Sequence, residues 1–514
     1  MSTLTHEPGN RFHGASANGR CAYLPRMTRF TLAACLALAS LTSWASVAWQ
    51  PFDAGVFERA RAEQKLVLLN LEAVWCHWCH VMDATTYVDP RVLERLSRFI
   101  AVKADHDARP DLANRYRNYG WPATVVFDAE GRELAKRAGY IAPEDMVALL
   151  ESAPALVPLK AAASVVPGEL TDALRDTLRS RHAASLDRER GGLKSTQKFL
   201  EADAVEWGLR RAALGDAAEA EHVRRTLDAG LALIDPVWGG AYQYSTGRVW
   251  TRPHFERIMR TQARYLRLYA LGYQAFRDAR YLQAIRDVRR YLAAFLTAAD
   301  GTFFVSQDAD VVRGEHAADY FALDDAARRR IGVPRVDTHV YADANGSAIE
   351  ALVSVHLATK DHSALVAAER AADRILATHR RPDGSFAHAP RDPLGPYLAD
   401  NLAMARAFFA LFGATQEPRW LARAQSTARY IETHFRAPTG YASGVDNGTP
   451  VAPVPNIDEN IGVARFAAEL QRLLGDPASR RLYDHAMAYL ASPAIATKRI
   501  AEPGILLADA ELRR

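Results

Sequence analysis

Cysteine is what this 514-residue sequence has least of: four residues, two of which, Cys21 and Cys35, stand in its first fifty positions. A chain stapled by disulfides would place them across long loops. Here the other two, Cys76 and Cys79, sit three residues apart, so chemistry is a more economical reading of them than stapling. Charge of one sign is lacking too. Lys and Arg number 64 against 60 Asp and Glu, a net charge of +4. With no basic run that makes a patch, no nucleic acid partner is expected. Apolar content is ordinary, and roughly 100–200 residues per domain gives two or three domains.

The N-terminal stretch carries a pattern of its own. Residues 1–26 are polar and patternless, and are expected to be disordered or to precede the true start. From Met27 the chain reads Met-Thr-Arg-Phe, then turns apolar over 32–41. Small residues follow at Ser43-Trp44-Ala45 or Ser46-Val47-Ala48. Such an order reads as a secretory signal peptide, too short for a spanning helix. Leu32-Ala33-Ala34-Cys35 spells a lipoprotein box, but the apolar segment before the cysteine is too short for one. The expectation is a leader and signal over 1–48, initiation at Met27, and a periplasmic or secreted protein without a stable membrane anchor after cleavage.

What is there is Trp75-Cys76-His77-Trp78-Cys79-His80. The apolar run 65–71 before it predicts a strand buried on both faces. The residues after it predict a helix that stops at Asp89-Pro90. A Cys-x-x-Cys at a helix start has a physical purpose. Unpaired N–H groups and partial positive charge favour a thiolate over a thiol, and His77 strengthens that bias. Cys76, nearer the helix start, is expected to be the more exposed and to attack, with Cys79 resolving. Strands are further predicted over 99–105, 123–127 and 132–137, a turn over 128–131, and helices over 110–119 and 142–152. The order strand–helix–strand–helix–strand–strand–helix is that of the thioredoxin fold, here over 49–163.

Gly120-Trp121-Pro122-Ala123-Thr124, some forty residues past the cysteines, completes a thioredoxin signature. In that family the proline is cis and faces the disulfide, which the resemblance implies for Pro122. More narrowly, Cys-His-Trp-Cys-His-Val-Met, the 105–111 segment with Arg109-Pro110, and Gly-Trp-Pro resemble the spermatogenesis-associated thioredoxin-domain family, in which a thioredoxin domain precedes a helical barrel. Thioredoxins carry a buried Asp on the first strand. The matching position is Asn70, and Glu72, two residues on, is the candidate substitute. Trp75, Trp78 and Trp121 could rim a partner site. The string also spells a c-type haem attachment site, but the long apolar strand entering it speaks against haem. Zinc on Cys76, Cys79, His80 and His106 lacks a second ligand pair with metal-like spacing. No metal or cofactor beyond the redox-active disulfide is expected.

Beyond residue 163 the signal becomes helical. Apolar residues recur at helical spacing over 170–182, 204–214, 220–234, 255–276, 281–298, 344–358, 364–378, 398–411, 420–435, 461–474 and 482–490, with a shorter piece near 321–330. Glycine–aromatic turns recur between them, as in Asp235-Pro236-Val237-Trp238-Gly239-Gly240-Ala241-Tyr242 and Pro382-Asp383-Gly384-Ser385-Phe386. A loop repeating at this spacing marks helical hairpins in a closed array. It resembles the (α/α)6 toroid of six-hairpin glycosidases and N-acylglucosamine epimerases, over 167–514. His254, Glu256, Asp308, Asp310 and Asp400 are the polar candidates of its loops, with Asp458 and Glu459 further on. Pro-His-Phe-Glu and Asp-Ala-Asp match the spermatogenesis-associated family again. Trp238, Tyr242, Tyr244, Trp250 and Phe304 are candidate sugar-stacking residues.

Two functions therefore stand. One is an exported thiol–disulfide oxidoreductase that acts on a protein disulfide or dithiol through Cys76 and Cys79, its barrel binding ligand or partner. Its supporting residues are Trp75, His77, Trp78, His80, Glu72 and Pro122. The other is a carbohydrate-active, glycosidase- or epimerase-like barrel, with a sugar as ligand and a structural thioredoxin domain.

Overall fold

An extended pair of residues, β1 (Gln50–Pro51), brings the chain into a five-stranded sheet. The computed structural model describes residues 46–160, 164–315, 317–446 and 448–513, and Ser46–Arg514 forms one unit. Of the expected leader and signal, residues 1–45, with Cys21 and Cys35, lie outside the described residues, while 46–48 are described and Val47 packs against the first domain's core. Helix α1 (Val56–Glu63), strand β2 (Leu66–Glu72), helices α2 (His77–Thr85) and α3 (Pro90–Leu96) and strand β3 (Phe99–Asp105) follow. The domain continues through α4 (Pro110–Tyr116), β4 (Ala123–Phe127), β5 (Glu133–Ala138) and α5 (Pro143–Ser152). The sheet order is β1-β3-β2-β4-β5, with β2 parallel to β3 and antiparallel to β4, as in thioredoxins.

Strand β2 is central because both of its faces are apolar. Val67, Leu69 and Leu71 pack with Phe57, Val125 and Phe127 on one side. Leu68 packs with Met82, Val92 and Met146 on the other. Two expectations are corrected here. Asp89-Pro90 does not stop the helix of the cysteine motif, which ends at Thr85. It starts a new helix, since Asp89 caps α3 by accepting the Arg91 N–H at 2.8 Å and Pro90 takes the first helical position. The helix expected over 110–119 is α-helical only to Tyr116 and tightens to a 3-10 turn over Arg117–Tyr119.

The second domain holds α6 (Asp172–Ser185), α7 (Ala202–Ala213) and α8 (Ala217–Gly230). Short strands β6 (Tyr244–Ser245), β7 (Pro253–His254) and β8 (Arg257–Ile258) come next, followed by α9 (Met259–Phe276) and α10 (Ala279–Tyr291). Then come β9 (Ser306–Gln307), α11 (Ala318–Phe321), α12 (Asp325–Ile331), β10 (Val336–Asp337), α13 (Ala342–Thr359) and α14 (His362–Thr378). The chain ends through α15 (Leu398–Thr415), α16 (Pro418–His434), α17 (Ile457–Leu474), α18 (Pro477–Leu490), α19 (Pro493–Ala496) and α20 (Pro503–Leu512). Helices α7, α9, α13, α15, α17 and α20 contact one another in a closed ring. Outside it, α8, α10, α14, α16, α18 and α6 each pack on one member. That is an (α/α)6 toroid. Among the described residues no helix is long and apolar enough to cross a membrane.

The repeating loops are built alike. Isolated antiparallel bridges close them at Leu186–Leu193, Ile234–Ala241, Thr297–Phe303, Arg380–Phe386 and Arg436–Tyr441. A buried amide near the start of the next inner helix then brackets the loop backbone. Gln262 holds Ala241, Asn345 holds Phe303, and Asn460 holds Tyr441, each through both N–H and C=O. Asn401 accepts the Phe386 N–H. In the second loop Gly239 has φ +75°, and a Cβ there would lie 2.1 Å from the Asp287 carbonyl oxygen, so only glycine fits.

Two further departures from expectation matter. The helix expected from 255 begins at Met259, because 253–258 is drawn into two-residue strands. His254 pairs with Tyr244 and Arg257 with Gln307. The ring-closing α20 has no amphipathic stripe, as Ile505, Leu506, Leu507 and Ala508 are all buried between α17 and α7.

Candidate functional site at the junction of the two domains

Cys76 is the N-cap of α2, where its backbone is still extended, and its sulfur accepts the Cys79 backbone N–H at 3.2 Å. The two sulfurs are bonded to each other. The helix start thus aims a donor at the atom that would carry negative charge on reduction. Opposite, Trp121-Pro122 is a cis peptide, and Trp121 packs against the pair.

Exposure departs from expectation. Cys76 is 3% exposed and Cys79 2%, so neither sulfur is open to a protein partner. Ile258 of β8 shares a buried apolar cluster with Ala73, Trp75 and both cysteines, so part of their cover comes from the toroid. Trp75 is no rim residue either. It is buried, and its Nε1 donates to Asp107 at 2.7 Å. Trp78 alone of the motif's aromatics is exposed, tilted on Tyr140 at 5.9 Å.

The motif's histidines reach into the toroid. His77 Nδ1 donates to Asp310 Oδ1 at 2.8 Å, and His80 Nδ1 lies 3.0 Å from Asp310 Oδ2. His80 Nε2 is 3.1 Å from the Val74 carbonyl and 3.7 Å from Asp308 Oδ2. The hydrogen bond to Asp310 holds His77 above its ordinary range despite partial burial. Burial alone would raise Asp310, but the bonds from His77 and His80 outweigh it and bring the carboxyl to about 2. Asp308, buried beside Asp310 and Glu256, is pushed up to about 6.

Four of the barrel candidates therefore gather near the disulfide. Glu256 is buried, its Oε1 3.8 Å from His254 Nδ1, and His254 stacks on Tyr244 at 4.4 Å. Asp400 stands apart. It accepts from His388 Nδ1 at 2.9 Å, and His388 Nε2 donates to the Asp107 carbonyl across the domain junction at 2.5 Å. None of these five lines the cavity within the inner ring, whereas Asp458 does. That cavity, of about 290 Å³, is walled by charge: Arg260, Arg264 and Arg465 with Asp203, Glu206 and Asp458. Trp238, Tyr242 and Trp250, expected as sugar-stacking residues, are buried core side chains.

Glu72, the candidate substitute acid, is raised by burial although Lys103 pairs with it at 2.7 Å. Asn70 is buried beside it, with Oδ1 unpartnered among the described residues. Sequence reasoning missed Ile258, although it lies two residues past Pro-His-Phe-Glu. It also missed Asp105, whose carboxyl accepts three backbone N–H groups of the 74–108 turn region. Burial, and then the charge of Asp107, pushes Asp105 up to about 7.

Residues 39–164 match the family described as Thioredox_DsbH, a protein of unknown function, DUF255. Human spermatogenesis-associated protein 20 is 25% identical over 308 residues, 51% of this chain and 39% of that protein. The chain thus matches well under half the length of that relative. A thiol:disulfide interchange protein DsbD of Ralstonia nicotianae is 34% identical over 99 residues, 18% of this chain and 16% of that one. The structure of a cellobiose 2-epimerase from Bacillus thermoamylovorans aligns with a TM-score of 0.49 at 9% identity, covering 62% of this chain and 86% of that one. By these matches the chain is similar to the spermatogenesis-associated thioredoxin-domain family to which its motifs point.

Proposed function

We propose that this protein is a thiol–disulfide oxidoreductase whose reacting atoms are the sulfurs of Cys76 and Cys79. The observation that carries the reading is the position of Cys76 at the N-cap of α2, its sulfur accepting the Cys79 N–H. Similarity of the first domain to a thiol:disulfide interchange protein supports it. In the reducing direction, the Cys76 thiolate attacks one sulfur of a partner disulfide. The partner's S–S bond breaks, and its other sulfur leaves as a thiolate that takes up a proton. Cys79, having lost its own proton, attacks Cys76 in the mixed disulfide. The Cys76–Cys79 bond forms, the second partner thiol is released, and two electrons have passed to the partner. The reverse sequence oxidises a dithiol. The partner must displace Ile258 or reach the pair when β8 opens. An exported setting, periplasmic or secreted, suits this chemistry because disulfides persist there.

The test is alkylation trapping with the full chain. Cys79→Ser should accumulate a mixed disulfide through Cys76, and Cys76→Ser should abolish exchange. Equal exchange in both variants and the parent would dismiss the reading.

A second reading keeps one observation. The toroid encloses a ligand-sized, charge-lined cavity, which suits a polar ligand such as a sugar bearing a charged group. A glycan panel with Asp203→Asn as the comparison separates a carbohydrate-active barrel from a scaffold: turnover or binding lost in the variant supports it, and no response to any glycan removes it.

A further inference from the structure

Three carboxylates share a buried face near the disulfide. Arg257 pairs with Gln307 in the β8–β9 ribbon, and Glu256 and Asp308 are the residues that flank this pair. Asp310, two residues on from Asp308, turns its own carboxylate to His77 and His80. All three are at most 4% exposed. Among the described residues their ion-pair partners are histidines only, with no Lys or Arg among them. Like charges placed in this way destabilise a ribbon unless a cation lies among them.

Two further features point to a bound ion. Among the described residues the buried Glu256 Oε2 has no hydrogen-bond partner, and Glu256 lies near enough to Asp308 and His77 for its charge to act on both. Both ring nitrogens of His80 face acceptors, Asp310 Oδ2 at 3.0 Å and the Val74 carbonyl at 3.1 Å, yet a neutral imidazole has one N–H. In the ion-bound form the N–H would sit on Nε2, held by Val74, and Nδ1 would exchange its hydrogen bond to Asp310 for a bond to the ion. Two cis ligands at ~2.1 Å from one ion lie about 3 Å apart, which matches that spacing. An outer hydrogen bond to a backbone carbonyl is also what orients metal-bound imidazoles. One ligand atom each from His80, Asp308 and Asp310 lies within 4.8 Å of the other two.

We propose that His80, Asp308 and Asp310, with the Glu256 carboxylate beside them, form a binding site for a divalent cation of the zinc–manganese class, shared between the two domains. One imidazole nitrogen with carboxylate oxygens suits these ions, where a thiolate set would select copper(I). The comparable cluster of Asp343, His388 and Asp400 needs no such ion, because Arg260 already pairs with Asp343. The site stands apart from the redox reading, because it uses neither sulfur.

The experiment uses the full chain in a Cys21→Ser/Cys35→Ser background, oxidised so that no free thiol remains and stripped with a chelator. Zn²⁺ and Mn²⁺ are titrated in by calorimetry, with Mg²⁺ as the hard-cation control, and the ion retained after desalting is counted by mass spectrometry. One equivalent of Zn²⁺ or Mn²⁺ per chain is expected, with Asp308→Asn and Glu256→Gln each weakening affinity tenfold or more. Absence of saturable binding, or binding untouched by both variants, overturns the proposal. Should a variant fail to fold, the parent's own uptake decides: one tightly held ion raising its unfolding temperature supports the site, and none overturns it. Loss of thiol exchange with metal uptake intact would count against the redox reading alone.

Discussion

His77 of the thioredoxin domain donates a 2.8 Å hydrogen bond to Asp310 of the toroid, and the same carboxylate meets His80. One aspartate therefore clamps the cysteine helix from the other domain. Removing one partner of a buried charged pair costs about 3–5 kcal/mol. Asp310→Ala should lower stability by about 3 kcal/mol in denaturant titration, and should speed alkylation of the reduced cysteines. Unchanged stability and unchanged alkylation would show that the clamp holds nothing.

Ile258 is the toroid's residue in the buried cluster that holds the two cysteines. Truncating it to alanine removes apolar contact and leaves a path to the pair. Ile258→Ala should be reduced by dithiothreitol about tenfold faster, equivalent to ~1.4 kcal/mol of opening free energy. The check is the rate of thiol appearance by quenched alkylation.

Asn345 brackets the Phe303 backbone with bonds of 2.8 and 3.0 Å. Both loop groups would be left unpaired in Asn345→Ala, at about 1–3 kcal/mol each. Chemical denaturation should show a loss of ~2–6 kcal/mol, while the distant disulfide keeps its reactivity.

Glu459 receives a hydrogen bond from Asn114 of the first domain at 2.9 Å, and burial pushes its carboxyl up to about 8. A raised carboxyl favours the folded state when protonated. Its contribution is complete below the ordinary carboxylate range near pH 4.5 and is lost as pH rises to about 8. Stability should therefore fall across that window in the parent and fall less in Glu459→Gln. Parallel pH profiles for the two proteins would refute this.

Much of the fold was legible because its signals are local. The apolar run of β2, the Cys-x-x-Cys at a helix start and the glycine–aromatic turns each depend on neighbours in sequence. Helix α20 was not legible, since burial on every side erases the periodic stripe. Nor was the start of α9, where short strand pairs replaced the helix expected from Phe255. The candidate site was half legible. His77, His80, Glu256, Asp308 and Asp310 were singled out, but as two separate groups, because 230 residues separate His80 from Asp310 and nothing local links them. The burial of Cys76 was invisible for the same reason, part of its cover coming from the toroid.

The most direct measurement is a redox titration of the full chain in dithiothreitol buffers, read by alkylation and intact mass. A reversible two-thiol transition assigned to Cys76 and Cys79, absent in Cys76→Ser and shifted in rate by Ile258→Ala, is the predicted result. A pair that stays locked in one form under every buffer, with Ile258→Ala no different, would contradict the account.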